Sequence, residues 1–543
     1  MDNVKIMTWN FAEQAIRQVD NIEAYTNYPV VYILNNKKEA YIGETVYFKK
    51  RMRTHITNKD RKKLDTMHLI KHDKFNQSAT FHLETKLINY FLGDEKYTLQ
   101  NKSKLASDFT HNYFNKHYYD QPVFANLWEQ LHSNGIVNHP QHVIENKDIF
   151  KISPFKELSL EQLDLKENVL QFCEQQLMQK QPSEYGSLFV VEGEAGVGKS
   201  VVLSSIFNTI QMLRSEPSSP LFETENYLLV HHEEMFKTYK SIAARLKHWK
   251  IKDIAKPTSL INNLHKQHKK ADIILVDEAH LLLTRTDTYN NFRFDNHLEE
   301  LLKLAKVVII IYDRDQVLKL KSLWEEMTLE QLLQKSYRHE RYPLTNQFRM
   351  QANDDIIEWI NQFKAKHVLP LPPANNYEFK IFATLQEMHE AIKLKNEQFG
   401  LSRVVATFDY THKKDGEIYY ITEDNGEYQI PWNQTDSSFT WAENANTVHE
   451  AGSIYTVQGF DLNFVGVILG PSVTYDVKTD RLVIKTDLYK DTGAYTGANK
   501  TDNIDRAKER IVLNSINILM KRGIKGLYIY ASDEPLRNKL LQS

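Results

Sequence analysis

The chain has 543 residues, 41% of them hydrophobic and 25% charged, a formal net charge of −2 and a single cysteine, Cys173. That length exceeds one ordinary core, so roughly two to four domains are expected. The charge balance excludes a uniformly basic nucleic-acid binder but leaves room for local basic surfaces, and one cysteine excludes an internal disulfide or a cysteine-ligated zinc site.

The opening "MDNVKIMTWNFAEQ" has no apolar run of signal-peptide length, and the longest apolar runs, "VVIIIY" and "IILV", are sheet-sized. A soluble cytoplasmic protein with no membrane partner is expected. The stretch "VVYILNNKKEAYIGETVYFKKRMRTHI", Val30 to Ile56, reads as two short tyrosine-bearing strands followed by a basic helix. Between Lys49 and Lys74 there are ten Lys/Arg against three Asp. Taken alone, this is a hairpin and a solvated basic face. From about Leu105 to Lys151 the chain turns rich in His, Asn and aromatics without clear periodicity, as an irregular connector or small helical cap would.

From Ser159 onward, short β-branched runs ("SLFVVE", "YLLVHH", "ADIILVDE", "AKVVIIIYD", "SRVVATFD", "FVGVILG", "GLYIYA") alternate with helical patterns. Helices covering both faces of a parallel sheet produce that rhythm, and the number of strands suits two α/β lobes. "VEGEAGVGKS" places Gly193, Glu194, Ala195, Gly196, Val197, Gly198, Lys199 and Ser200 between an apolar strand and a helix. Its spacing is that of a phosphate-binding loop: backbone N–H groups wrap phosphates, Lys199 reaches their outer oxygens and Ser200 holds Mg²⁺. "ADIILVDEAH" ends a strand in Asp277, a second Mg²⁺ contact, and Glu278, placed to orient and activate water. ATP hydrolysis is the firmest expectation from these residues.

Five further segments resemble a superfamily 1 helicase, in particular the Schlafen-type helicase-like ATPases. The resemblance implies that Gln162 of "LSLEQLDL" reads the adenine. It implies too that Asp313 and Gln316 of "IIIYDRDQVL" couple the γ-phosphate to a nucleic-acid track, and that Arg349 of "LTNQFRM" and Arg522 of "LMKRGIKGLYIY" reach the phosphates. "IYTVQGFDLNFVGVILG" supplies Thr456, Gln458 and Gly459 of the second-lobe motif. Aromatics near Trp432 and Trp441 are candidates for base stacking, with core packing as the plainer role.

With a nucleic-acid motor behind it, the amino-terminal stretch resembles a GIY-YIG nuclease domain over roughly Tyr28 to Lys104. Tyr32 falls in the first motif and "YIG" at Tyr41, Ile42 and Gly43 in the second. Arg51 and His55 follow on a helix, Glu84 takes the metal position and Asn101 the late asparagine; Val30 replaces the family's first glycine. The resemblance implies that Glu84 binds Mg²⁺, that Tyr32 or Tyr41 positions or deprotonates water, and that Arg51 neutralises the phosphate while His55 assists proton transfer.

The expected fold is α/β: a small α+β GIY-YIG nuclease domain (1–104), a connector or cap (105–155), and two RecA-like parallel-sheet lobes. The first lobe (156–345) carries the P-loop and the second (346–543) the arginine fingers. The expected function is an ATP- and Mg²⁺-dependent helicase or translocase coupled to an endonuclease, on DNA in preference to RNA. Such an enzyme would serve defence against foreign DNA or DNA repair. An ATP-gated nucleic-acid sensor with a non-cutting nuclease-like domain is the alternative. Nothing in the sequence fixes the oligomeric state.

Overall fold

Alternation between buried faces builds the first sheet from β1 (Lys5–Asn10), β2 (Val30–Asn35), β3 (Glu39–Thr45), β4 (Thr66–Lys71) and β5 (Thr98–Leu99), in the order β1-β4-β2-β3-β5. Its pairs are antiparallel except for the short parallel pairing of β3 with β5. Val30, Tyr32 and Leu34 pack on one side with Phe48 and Met52 of α1 (Phe48–Thr57). Val31 and Ile33 pack on the other with Leu83 and Leu87 of α2 (Gln77–Asp94), as a period of two requires. The computed structural model describes residues 4–542 apart from 21–26, 102–111, 180–182, 194–195, 314–315, 321–325, 346–349, 374–375, 414, 435–440, 458–460 and 496–503.

The segment after the first sheet holds short helices at Phe124–Ser133, Gln141–Asn146 and Asp148–Lys151. Their apolar residues, Trp128 and Ile144 among them, join the core beneath α2. The Asp94 carboxylate accepts from the backbone N–H groups of Asn138 and His139, fixing the turn between the first two of these helices.

The second sheet is wholly parallel: β6 (Ser187–Gly193), β7 (Asn226–Val230), β8 (Ile254–Ala255), β9 (Ala271–Asp277), β10 (Ala305–Tyr312) and β11 (His339–Leu344), in the order β11-β6-β10-β9-β7-β8. Helices α3 (Leu160–Met178), α4 (Lys199–Leu213) and α5 (Glu233–Arg245) cover the face that continues into the core of the first sheet.

The third sheet contains β12 (Glu378–Ile381), β13 (Ser402–Ala406), β14 (Tyr419–Glu423), β15 (Tyr428–Trp432), β16 (Ala451–Gly452), β17 (Leu462–Leu469) and, after a separate hairpin of β18 (Val473–Asp476) and β19 (Arg481–Ile484), β20 (Gly523–Ala531). Its order is β12-β20-β17-β13-β16-β15-β14, parallel except at the β14/β15 edge. Helix α6 (Ile504–Met520) packs on it and reaches across: Asn514 donates to the carbonyl of Val317 at 3.0 Å. Trp432 is fully buried, and Trp441 is buried too and donates to the Glu450 carboxylate, so both belong to the packing of this lobe.

Val30 sits in unbroken register opposite Thr45, fully buried. It is an apolar filler between the strand and α1. Replacing it with glycine, as the resembled family has it, should therefore cost about 2–3 kcal/mol from lost burial and added chain entropy. Urea denaturation of Val30→Gly measures this, and an unchanged midpoint would refute the packing role.

Candidate active sites

The first site forms where β2, β3 and α1 meet. Tyr32 pairs with Gly43, and a Cβ on that glycine would lie 2.2 Å from the Tyr32 hydroxyl; the phenol therefore lies across a position that must lack a side chain. Tyr41 lies one step along β3, its ring 6.2 Å from that of Tyr32. Arg51 and His55 stand one turn apart on α1 and face the same way. Arg51 donates from Nε to the Tyr32 hydroxyl at 3.2 Å and from Nη2 to the Tyr41 hydroxyl at 3.4 Å. His55 Nε2 lies 2.7 Å from the same Tyr32 oxygen.

Glu84 is buried on α2, and its charge bears on Tyr32. Burial, then Tyr41, pushes the Tyr32 phenol well above its ordinary value, so it keeps its proton at neutral pH. Burial opposes the Arg51 charge, but the two phenols outweigh it and hold the guanidinium firmly protonated. Burial and the nearby Arg61 and Arg51 push His55 down to about 3. Such an imidazole is neutral at pH 7 and pairs with the Tyr32 hydroxyl.

Asn101 accepts from the Ile42 N–H at 3.0 Å and donates to the Ile42 carbonyl at 2.8 Å. Both ends of its amide thus hold the strand that carries Tyr41, which makes it a positioning residue. Sequence reasoning missed Arg61, whose guanidinium lies 3.9 Å over the Tyr41 ring. Its only signal was membership of the basic run "RKK".

The second site lies at the carboxyl ends of β6, β9 and β10. Gly196 and Gly198 have φ of +94° and +76°, values that glycine alone adopts freely, and Gly198 opens α4. Lys199 donates to the Gly193 carbonyl at 2.7 Å and pairs with Asp313 at 3.0 Å, both partners of the ion pair being buried. Burial raises the Asp313 carboxyl, but Lys199 and His280 outweigh it and hold it ionised. Gln316 donates to the same carboxylate at 2.6 Å. Ser200 Oγ lies 3.4 Å from Asp277 Oδ1. Burial, then the charge of Glu278, pushes Asp277 upward. Glu278 has left-handed backbone geometry (φ +52°) and lies 3.3 Å from His280.

Gln162 completes a capping box with Ser159 at the start of α3 and donates to the Val197 carbonyl at 3.2 Å, which ties it to the phosphate loop. Arg522 lies buried between α6 and β20, and its charge reaches His232 and His280 of the first lobe. The Thr456 hydroxyl donates to the Ser453 carbonyl at 2.8 Å. Glu194, Ala195, Arg349, Gln458 and Gly459 lie outside the described residues.

Sequence reasoning also missed Tyr239, which donates to Asp277 Oδ2 at 2.9 Å from α5; a tyrosine on an apolar helix face gave no signal. A cleft of about 840 Å³ opens beside this site, lined by His231, His232, Lys256, Tyr289, Lys319 and Tyr455.

The donor chemistry of both sites suits Mg²⁺, which takes few protein oxygens and completes its shell with water and phosphate. Ser200 and Asp277 supply hard oxygens at one site and Glu84 a buried carboxylate at the other. Among the described residues no group of three or more His, Cys, Asp or Glu forms a metal cage, and no helix is long and apolar enough to cross a membrane.

Two family models match the chain: the Schlafen group 3 DNA/RNA helicase domain over residues 186–533, and the GIY-YIG catalytic domain over residues 28–104. The Saccharomyces cerevisiae protein YPL245W, described as uncharacterized, is 39% identical over 430 residues, covering 74% of this chain and 94% of its own length. Solved structures similar to it include the Pif1 helicase of Candida albicans (12% identity, 71% of this chain and 97% of that one, TM-score 0.27). Another is the Pif1 helicase of Bacteroides in complex with ADP-AlF3 and ssDNA (11% identity, 71% and 94%, TM-score 0.26).

Two outcomes follow from the geometry. Lys199→Ala strips the ammonium from a buried carboxylate and should cost about 3–5 kcal/mol, most of it recovered in the double variant with Asp313→Asn; denaturant unfolding of the four proteins checks it. Burial holds His55 at about 3 and His68 at about 4. A histidine whose folded pKa lies below its unfolded value favours folding above about pH 6.5 and loses that contribution as pH falls toward the folded value. Tm should therefore drop between about pH 6.5 and about pH 4, less steeply in His55→Gln.

Proposed function

We propose that this chain, which belongs to the Schlafen group 3 DNA/RNA helicase family and carries a GIY-YIG catalytic domain ahead of its motor, is an ATP-driven motor that cuts the DNA it moves on. The observation that carries the nuclease half is the convergence of Arg51 on both tyrosine hydroxyls beside the buried Glu84. In this reading Arg51 leaves the phenols to meet the scissile phosphate and neutralises its developing charge. Tyr32, which keeps its proton, positions the attacking water with His55 behind it, and Tyr41 serves as the second hydroxyl. Glu84 would hold Mg²⁺, which stabilises charge on the leaving oxygen when bound. Asn101 keeps the Tyr41 strand in place.

In the motor, Lys199 and the loop 193–200 bind the ATP phosphates, while Ser200 and Asp277 would hold Mg²⁺. Glu278 orients water, and Gln162, anchored to the loop, reads the base. Asp313 and Gln316 sense the γ-phosphate. Arg522 with Arg349 supplies cationic charge as the lobes close, and Thr456, Gln458 and Gly459 belong to the second-lobe motif that couples closure to hydrolysis. The cleft with Lys256, Lys319 and Tyr289 suits a single strand, offering cations for phosphates and an exposed ring for a base. The domain limits proposed are 1–104, 105–155, 156–345 and 346–543. A cytoplasmic role in defence against foreign DNA or in DNA repair fits this combination of activities.

Labelled DNA and RNA incubated with and without ATP and Mg²⁺ test the reading. Nicking of DNA should fall at least about 100-fold in Glu84→Ala and Arg51→Ala, in line with loss of a metal ligand or a charge-stabilising donor. Single strands should stimulate ATP hydrolysis, and Lys199→Ala should abolish it. Nicking that survives both nuclease-site substitutions would refute the nuclease assignment, and an ATPase rate indifferent to nucleic acid would refute the motor.

A further inference from the structure

One helix, with the turn after it, joins the second site to the amino-terminal domain. Within α5, Tyr239 is fully buried, donates to Asp277 Oδ2 at 2.9 Å and lies 3.4 Å from the Ser200 carbonyl. Two residues on, Ser241 donates to the Glu95 carboxylate at 2.9 Å, at the left-handed cap that ends α2. Just past the helix, Leu246 forms a parallel β-bridge with Leu99, the residue that pairs β5 with Ala40 of β3. Lys247 then pairs with Asp60 at 2.8 Å. Asp60 immediately precedes Arg61, the cation over Tyr41, and Leu99 stands two residues before Asn101, which holds Ile42 next to Tyr41.

The same turn is tied to the phosphate-loop helix: Trp249 Nε1 donates to Asn208 Oδ1 of α4 at 2.9 Å, and His248 Nε2 lies 2.6 Å from that oxygen. From Tyr239 to Leu246 the rise is about 10 Å, short enough for a helix to move as a rigid rod. Where the rod meets the first sheet there is space to move into, a cavity of about 400 Å³ lined by Asp60, Arg61, Gln100, Ser215, Lys247 and His248.

We propose that Tyr239 is a positioning residue of the ATP site and that α5 with the turn 246–249 carries nucleotide state from Asp277 and Ser200 to the alignment of Tyr41 and Arg61 in the nuclease site. Any ligand that engages Asp277 competes with the Tyr239 hydroxyl for its oxygen. A shift of Tyr239 moves α5, and α5 is fastened to the first sheet at Glu95, Leu99 and Asp60. The coupling rests on the reading that both sites are active, and it has two ends that can be cut separately.

The test uses the full chain. Single-turnover nicking of labelled DNA is measured without nucleotide and with saturating non-hydrolysable ATP analogue. Hydrogen exchange of residues 58–61 and 239–249 is followed under the same two conditions. In the wild type the analogue should change the nicking rate at least about fivefold, the lower end of ordinary allosteric coupling, and should alter exchange at 58–61. Ser241→Ala/Lys247→Ala, outside both sites, should bring the ratio close to one while leaving ATP hydrolysis and nucleotide-free nicking near wild type; Lys247→Arg with Ser241 intact should keep it. Tyr239→Phe should abolish the exchange response at 58–61.

Nicking with a ratio of one and silent exchange would overturn the coupling while leaving the nuclease reading standing. Exchange at 58–61 that responds to the analogue with no DNA or RNA cut would do the reverse. A double variant that keeps the full ratio would overturn the assigned route.

Discussion

Everything else in the molecule is hung on one continuous apolar core. It runs from Ile33 and Ile42 on the back of the first sheet, through Leu87 and Phe91 of α2 and Trp128 of the following helix, into Phe172 of α3, Ile206 of α4 and Phe189 and Ile273 of the parallel sheet. A shared core fixes the two units in position and orientation more firmly than a linker does, because close-packed side chains transmit displacement instead of absorbing it. A polar side chain within it is satisfied in place: Asn89 donates to the Phe155 carbonyl and accepts from Ser153, inside the junction itself. The third sheet, by contrast, has cores of its own. It meets the rest in part through a small apolar cluster in which Val317 and Leu320 pack with Ala494, Ala507 and Ile511.

The two sites share an electrostatic plan. In each, a cation that we propose to bind phosphate rests on oxygens of the protein: Lys199 on Asp313 and a carbonyl, Arg51 on two phenols. The difference lies in the strength of the hold. A buried carboxylate binds its ammonium tightly, whereas neutral phenols give up a guanidinium to an anionic phosphate at less cost.

Features governed by local backbone demands were legible in the sequence. Positive φ at Gly196 and Gly198, the strand that delivers Asp277, and the pairing that sets Tyr32 beside Tyr41 all follow from short-range rules. So does the place of Arg51 and His55 on one helix face. What escaped reading depends on residues far apart in the chain. Arg61 reaches Tyr41 across twenty positions and Tyr239 reaches Asp277 from another helix, and neither lies in a pattern that marks it. The neutrality of His55 arises from burial, which no spacing reports. Residues 112–155 lacked periodicity because their helices are short, at most ten residues, and broken by turns. Asn101, singled out for the nuclease site, has both ends of its amide bonded to the Ile42 backbone, a contact between distant residues that no spacing reports.

The shared core also bears on how the chain is made. Synthesis delivers β1 to β5 and α2 first, yet the surfaces that cover Leu87 and Phe91 include Trp128 and residues beyond Phe172, which emerge from the ribosome later. Until they arrive, the side of α2 that faces away from the first sheet stays uncovered, a sticky intermediate of the kind that chaperones attend. The amino-terminal domain and the phosphate-binding lobe thus complete one core together.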